Sequence, residues 1–264
     1  MDAGRTLLDI QDFVTGIAYT QPRMLAVFAT LPMFNQQALP GLVRLGIAGA
    51  FGALVAPTLA PTVQQQNLAV LVVMGIVMKE AVIGFVIGYA LASPFWELEA
   101  VGSLVDNQRG ATIAATLNPL TGDDTSPLGI MFNQAFIVFF FICGGFLMML
   151  GIVYDSYLLW PVFDWRPQLR PDTVPLLLAQ LDRLMSLTML LAAPVVLAMF
   201  LAELGLALVS RFVPQLQVFF LAMPIKSALA MLVLAIYMAT LFHMGRDLIT
   251  ETAGILPFLR EHWR

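Results

Sequence analysis

Six long apolar runs constrain this chain more than any other feature: residues 16–34, 38–59, 68–92, 128–154, 184–209 and 216–244. A helix needs about 20 predominantly apolar residues to cross hydrocarbon, and each run reaches or approaches that length. In lipid the backbone must satisfy its own polar groups, which leaves helices or closed barrels. None of the runs alternates with the period of two that barrel strands require. The sequence therefore predicts an all-α, multi-helix membrane protein, read as one domain over residues 1–264. The first run is the least regular, because Gln21, Pro22 and Arg23 interrupt it, while the fourth carries no charge before its end.

Composition agrees. Only 11% of the 264 residues are charged and 59% are hydrophobic, against about a quarter charged in soluble domains. The formal net charge of −4, with no basic stripe, argues against nucleic acid as a partner. Cys143, in FFFICGGFL, has no second cysteine to pair with and is expected to pack as a small hydrophobe. His243 and His262 lack Cys or Asp neighbours at metal spacing, so no metal or other cofactor is expected. HExxH, P-loop and GxSxG patterns are absent, and the chain is not read as an enzyme. The opening MDAGRTLLDIQDF places Asp2, Asp9 and Asp12 where a cleavable signal has basic residues, so insertion is expected to rely on the runs themselves.

Polar residues inside the runs carry the next layer of information. Lys79 and Glu80 interrupt the third run, Glu203 the fifth, and Lys226 follows Pro224 in the sixth. Such charges are costly in lipid and face protein or water. Either they pair across helices, or they line a polar path or a subunit contact. Glu203, Ala207 and Arg211 share one helical stripe, which suggests a local charge network. Pro194 and Pro224 each remove a helix donor. Gly84 and Gly88 form a GxxxG stripe with Glu80 one turn before, and the second run is rich in glycine and alanine; both patterns let backbones approach closely. Arg246, Arg260 and Arg264 favour a cytoplasmic C-terminus, and Arg166, Arg170 and Arg183 put the connection over 155–183 on the same side. Tyr157, Trp160 and Trp165 in that connection suit a membrane interface.

Between the third and fourth runs lies DNQRGATIAATLNPLTG, residues 106–122. Gly110 and Gly122 permit turns closed to other residues. Ala111, Ala114 and Ala115 are small. Asn107, Gln108, Thr112, Thr116 and Asn118 offer hydrogen bonds, and Pro119 interrupts regular structure. Asp106 and Arg109 are spaced to pair if this start is helical. Taken alone, the stretch reads either as a polar cover for the end of the bundle or as a pliable element lining a lumen.

Three blocks carry a resemblance: PRMLAVFATLPMFNQQALPGLVRLGIA (22–48), GSLVDNQRGATIAATLNPLTG (102–122) and LALVSRFVPQLQVFFLAMPIKS (206–227). The chain resembles the SctT/FliR family of type III export-gate proteins over nearly its full length. DNQRG and MPIKS are most similar to the injectisome branch, SctT. The resemblance implies a non-enzymatic channel subunit in a bacterial inner membrane, at the base of the secretion apparatus. It implies assembly with SctR and SctS, SctU and SctV as neighbours, and unfolded secreted proteins as cargo. The implied fold is an SctR-like part fused to an SctS-like helical hairpin, with apolar helices raised above the membrane plane in the assembled gate. Asp106 through Gly122 match the loop that forms part of the family's channel plug. Lys79, Glu80, Glu203, Arg211, Pro214, Pro224 and Lys226 become candidates for assembly or buried charge. The rival reading is a small-solute secondary transporter using Lys79, Glu80, Glu203 and Lys226 for coupling. That reading calls for two related halves with matching broken helices, and no convincing repeat occurs.

Overall fold

Seven helices and one short turn account for the described part of the chain. The structure, a computed structural model, describes residues 2–35, 39–63, 69–110, 126–165, 173–213 and 218–252, with Gly254 and Pro257. In order the helices are α1 (Asp2–Thr30), a 3₁₀ turn (Pro32–Phe34), α2 (Gly41–Val63), α3 (Val70–Arg109), α4 (Pro127–Ile142), α5 (Gly145–Leu159), α6 (Thr173–Phe212) and α7 (Val218–Thr252). No strand occurs among the described residues.

Four of these helices contain stretches long and apolar enough to cross a membrane: Gly41–Leu59, Val70–Arg109, Leu178–Phe212 and Leu221–Thr252. A fifth crossing results if α4 and α5 together make one bent span. The chain is a multi-pass membrane protein, with four or five candidate crossings among the described residues in place of the six apolar runs. The run over 16–34 drops out because its helix, α1, begins with Asp2, Arg5, Asp9 and Asp12 and carries Gln21 and Arg23. The run over 128–154 is split into α4 and α5, which meet at 77°. The break falls at Cys143 and Gly144, and Gly144 has φ +74°, a conformation that costs glycine nothing. Cys143 caps α4 and is exposed, so this bend leaves it on the surface and not packed as a small hydrophobe.

The helices also run further than the apolar runs. α3 continues past residue 92 because Leu91, Phe95, Leu98, Val101 and Val105 keep an apolar face at helical spacing, and all five are buried. Arg183 lies inside α6, so the fourth-to-fifth connection spans only residues 160–172. α3, α6 and α7 continue as helices through Pro94, Pro194 and Pro224 respectively.

The chain divides into two compact units. The first comprises Met1–Ala92, Gly144–Leu176 and Glu251–Arg264; the second comprises Ser93–Cys143 and Leu177–Thr250. The first has an aromatic core in which Phe28 stacks on Phe34 at 4.2 Å and meets Phe51 edge-on at 6.1 Å. Gly16 of α1 faces Ala56 of α2, and Gly52 of α2 faces Thr20 of α1, so the glycine-rich second run serves close helix packing. Trp160 and Tyr157 are buried in this unit, which corrects their reading as interface anchors; Trp165 is exposed and lies against Gly75. In the second unit Phe95 meets Phe136 and Phe140 edge-on at 4.9 and 5.1 Å.

The GxxxG stripe packs within the chain. A Cβ on Gly84 would collide with the Arg23 carbonyl and lie 2.9 Å from the Ala26 Cβ; one on Gly88 would collide with the Thr30 hydroxyl. Gly84→Ala must therefore push α1 and α3 apart, at about 1–3 kcal/mol for overpacking. A lowered Tm in detergent is expected. Gly151→Ala, whose Cβ has nothing within 4 Å, is the matched control and should leave Tm unchanged or slightly raised.

Candidate functional site

Asp106 sits in the last turn of α3 and is fully buried. Its Oδ1 accepts from Arg109 Nε at 2.7 Å and pairs with Nη2 at 2.6 Å. Its Oδ2 accepts from the Ser126 hydroxyl at 2.6 Å and from the Leu128 backbone N–H at 2.9 Å. Ser126 is the N-cap of α4, its Oγ accepting from Gly129 N–H at 2.9 Å, with Pro127 at the first helical position. The acid therefore occupies the N-terminus of α4, where orphan N–H groups and the helix dipole favour negative charge.

Two further contacts lock α3 against α4. Gly102 meets the α4 backbone so closely that a Cβ would lie 2.6 Å from the Leu128 carbonyl carbon. Asn133 Nδ2 donates to Glu99 Oε2 at 2.6 Å. Contacts 106–128, 102–129 and 99–133 make an antiparallel hairpin, connected by residues 111–125 and clamped at its base by Asp106.

Asp106, Asn107, Gln108 and Arg109 are thus helical rather than part of a loop, and Gly110 turns away with φ +82°. Ala111, Thr112, Ala114, Ala115, Thr116, Asn118, Pro119 and Gly122 lie outside the described residues.

The charges of the third run belong to a second cluster, in the first unit. Arg23 and Glu80 are both fully buried. Arg23 donates from Nε to Glu80 Oε2 at 2.7 Å and from Nη2 to Oε1 at 2.9 Å. It also donates to the Ser156 hydroxyl at 3.0 Å and the Trp160 carbonyl at 2.8 Å, and its guanidinium lies 4.0 Å from the Tyr157 ring centre. Lys79 pairs with Glu80 at 3.0 Å and donates to the carbonyls of Pro161, Val162 and Asp164 at 3.1, 2.7 and 2.7 Å. Ser156 was not singled out from the sequence, and Arg23 and Trp160 were read only as an interruption of the first run and as an interface aromatic; a lone arginine in an apolar run was the available signal for the pair with Glu80. Ser126 was also missed, although Ser–Pro ahead of an apolar run is a helix start.

In the second unit Lys226 pairs with Glu203 at 3.2 Å, linking α7 to α6. Glu203 is thus engaged across helices, not along its own stripe. Arg211 is exposed in the last turn of α6, where the dipole favours a cation. Pro224 lies within α7, and Pro214 falls outside the described residues.

The model for bacterial export proteins, family 1, matches residues 14–252. The chain belongs to that family. It is 41% identical to Yop proteins translocation protein T of Yersinia pestis, over 86% of this chain and 88% of the relative. It is 33% identical to Surface presentation of antigens protein SpaR of Salmonella typhimurium, over 87% and 85%. Flagellar biosynthetic protein FliR of Bacillus subtilis is 26% identical over 87% and 88%. This is the FliR/SctT family that the three sequence blocks resemble, and this member of it is nearer to the injectisome relatives than to that flagellar one.

Two outcomes follow from the clusters. Asp106→Ala strands Arg109, Ser126 and Leu128 N–H, at about 3–5 kcal/mol for a broken buried charge network. Limited proteolysis in detergent should then cut residues 111–125 faster, with Ser126→Ala showing a smaller effect. Glu80→Gln leaves Arg23 uncompensated at a similar cost, and Tm should fall sharply. The double variant Arg23→Met, Glu80→Met should recover part of that loss, because apolar replacement of a buried pair is tolerated better than its half-removal.

Proposed function

We propose that this family member is a channel-forming subunit of a type III export gate, in a bacterial inner membrane at the base of the secretion apparatus. It assembles with SctR and SctS, borders SctU and SctV, and passes unfolded secreted proteins. Residues 106–122 contribute to the plug of that channel. The observation that carries the reading is the Asp106 clamp. A segment that must hold back ions yet yield to a polypeptide needs a fixed base and a compliant tip. The helical base over Asp106–Arg109, tied to Ser126 and Leu128, supplies the first. The small and turn-prone residues from Gly110 to Gly122 supply the second.

The surface supports an assembled state. Along α6 and α7, Leu197, Leu201, Leu208, Leu232 and Ile236 are exposed, as a surface meant for lipid or neighbouring subunits must be. The Glu203–Lys226 pair lies among them, and with Arg211, Pro214 and Pro224 it suits a subunit contact. At 40 residues each, α3 and α6 are about 60 Å long, twice the roughly 30 Å hydrocarbon core. Helices of that length fit a gate whose subunits rise out of the membrane plane. The family match runs through both units, which supports a single export-gate domain built as an SctR-like part fused to an SctS-like hairpin.

Deleting Gly110–Asn118 spares every clamp contact except the tether it shortens. The variant is expected to co-purify with SctR and SctS and to make membranes conductive to ions. Unchanged conductance in an assembled, deletion-bearing gate would overturn the plug assignment.

A further inference from the structure

Among the buried acids of the described residues, Glu97 is the one that neither the Asp106 clamp nor the Arg23 cluster uses. It sits on α3 in the second unit and is 1% exposed. Its Oε2 has no hydrogen-bond partner among the described residues. This chain alone encloses the carboxyl, so neither lipid nor a neighbouring subunit reaches it to supply the missing donor.

The surroundings follow from the helix faces. Ser93 lies one turn before Glu97 on the same face of α3, and its hydroxyl accepts from Gln180 Nε2 of α6 at 2.9 Å. That face therefore meets α6, which turns Leu184, Thr188 and Leu191 inward at helical spacing. On the flanks, Phe95 packs against Phe136 and Phe140 of α4, and Leu98 lies beside Gly245 of α7. α4 carries no charge. Asp182 and Arg183 of α6 and His243, Arg246 and Asp247 of α7 are exposed, and Glu99 is engaged by Asn133. Of these, Arg183 alone acts on Glu97, attracting it from about one turn beyond Gln180. An ionised carboxylate in this place is costly, because no donor replaces the water it has lost. The neutral acid carries only the smaller penalty of an unpaired polar group.

We propose that Glu97 is a proton-binding site that locks α3 to α6. With its proton, the side chain stays packed between the two helices. When the proton leaves to solvent, its electron pair stays on the carboxylate, which seeks Arg183 and water. The seam that Ser93 and Gln180 hold then opens. α3 runs unbroken from Glu97 to Asp106, about 14 Å at 1.5 Å per residue, so the lock supports the helix that carries the clamp. The inference concerns the packing of this chain and does not depend on its role in export.

The test compares the full-length protein in detergent with Glu97→Gln and Arg183→Gln. Tm is followed from about pH 6 to about pH 9, a range in which an exposed glutamate is already ionised. Folding disfavours the ionised form of Glu97, so its contribution to stability is present at low pH and is lost as pH rises. The unaltered protein should lose Tm across this range relative to Glu97→Gln, whose amide fills the same space without a charge. Arg183→Gln removes the attraction on the carboxylate and should carry the fall to higher pH. Infrared spectra at the acid end should show a carboxylic-acid carbonyl band that Glu97→Gln lacks. Superimposable pH profiles for the unaltered protein and Glu97→Gln would overturn the proposal. So would identical spectra of the two in the carboxylic-acid region.

Discussion

Arg23 brings a guanidinium into the interior of the first unit, and no part of it reaches the surface. Burying that charge costs several kcal/mol unless hydrogen bonds surround it, so the first unit is organised around meeting the demand. Glu80 answers with a bidentate grip from α3, and α5 adds the Ser156 hydroxyl and the Tyr157 ring. The grip requires α1 and α3 to approach closely, and Gly84 and Gly88, one and two turns beyond Glu80, remove the side chains that would prevent it. The stripe Glu80–Gly84–Gly88 is therefore one device: the acid supplies the attraction and the glycines supply the distance.

A shared logic links this cluster to the clamp in the second unit. Lipid offers no partner for the N–H and C=O groups that helix ends leave open. Arg23 bonds the Trp160 carbonyl, and Lys79 bonds the carbonyls of Pro161, Val162 and Asp164, all just beyond the C-terminus of α5. Asp106 bonds the Leu128 N–H at the N-terminus of α4. Cations stand at a carbonyl end and an acid at an N–H end, as the helix dipole favours. Arg23, Lys79 and Asp106 are thus placed where the backbone of a neighbouring segment leaves its helix.

Much of this was legible in the residues, and the rest was hidden for physical reasons. Apolar length marked four crossings, and the GxxxG spacing marked a packing face. Apolar length alone kept the run over 16–34 among the spans, although the polar residues that α1 carries take it out of the helices apolar enough to cross; the partner that lets Arg23 be buried there, Glu80, lies 57 residues away. The bend at Gly144 was signalled only by the Gly144–Gly145 pair, a turn dipeptide that the apolar length of the run outweighed. Trp160 and Tyr157 looked like interface anchors because aromatics serve both interfaces and cores. The helical start of 106–122 was signalled by the Asp106–Arg109 spacing, but the second half of the clamp, Ser126, lies across the connection, where local patterns do not reach.

The opposite treatment of two acids bears on function. Asp106 is saturated, with both oxygens engaged and its neighbours fixed. Glu203 is half exposed, at 51%, and among the described residues holds only Lys226 at 3.2 Å, on a face where most large side chains are apolar and uncovered. A saturated buried acid fixes geometry and has no capacity left for a new partner. A loosely held pair on an uncovered face keeps acceptor capacity, at little cost to the fold. The chain thus separates the charges that must not move from those that remain available, and the segment from 111 to 125 is joined to the first kind.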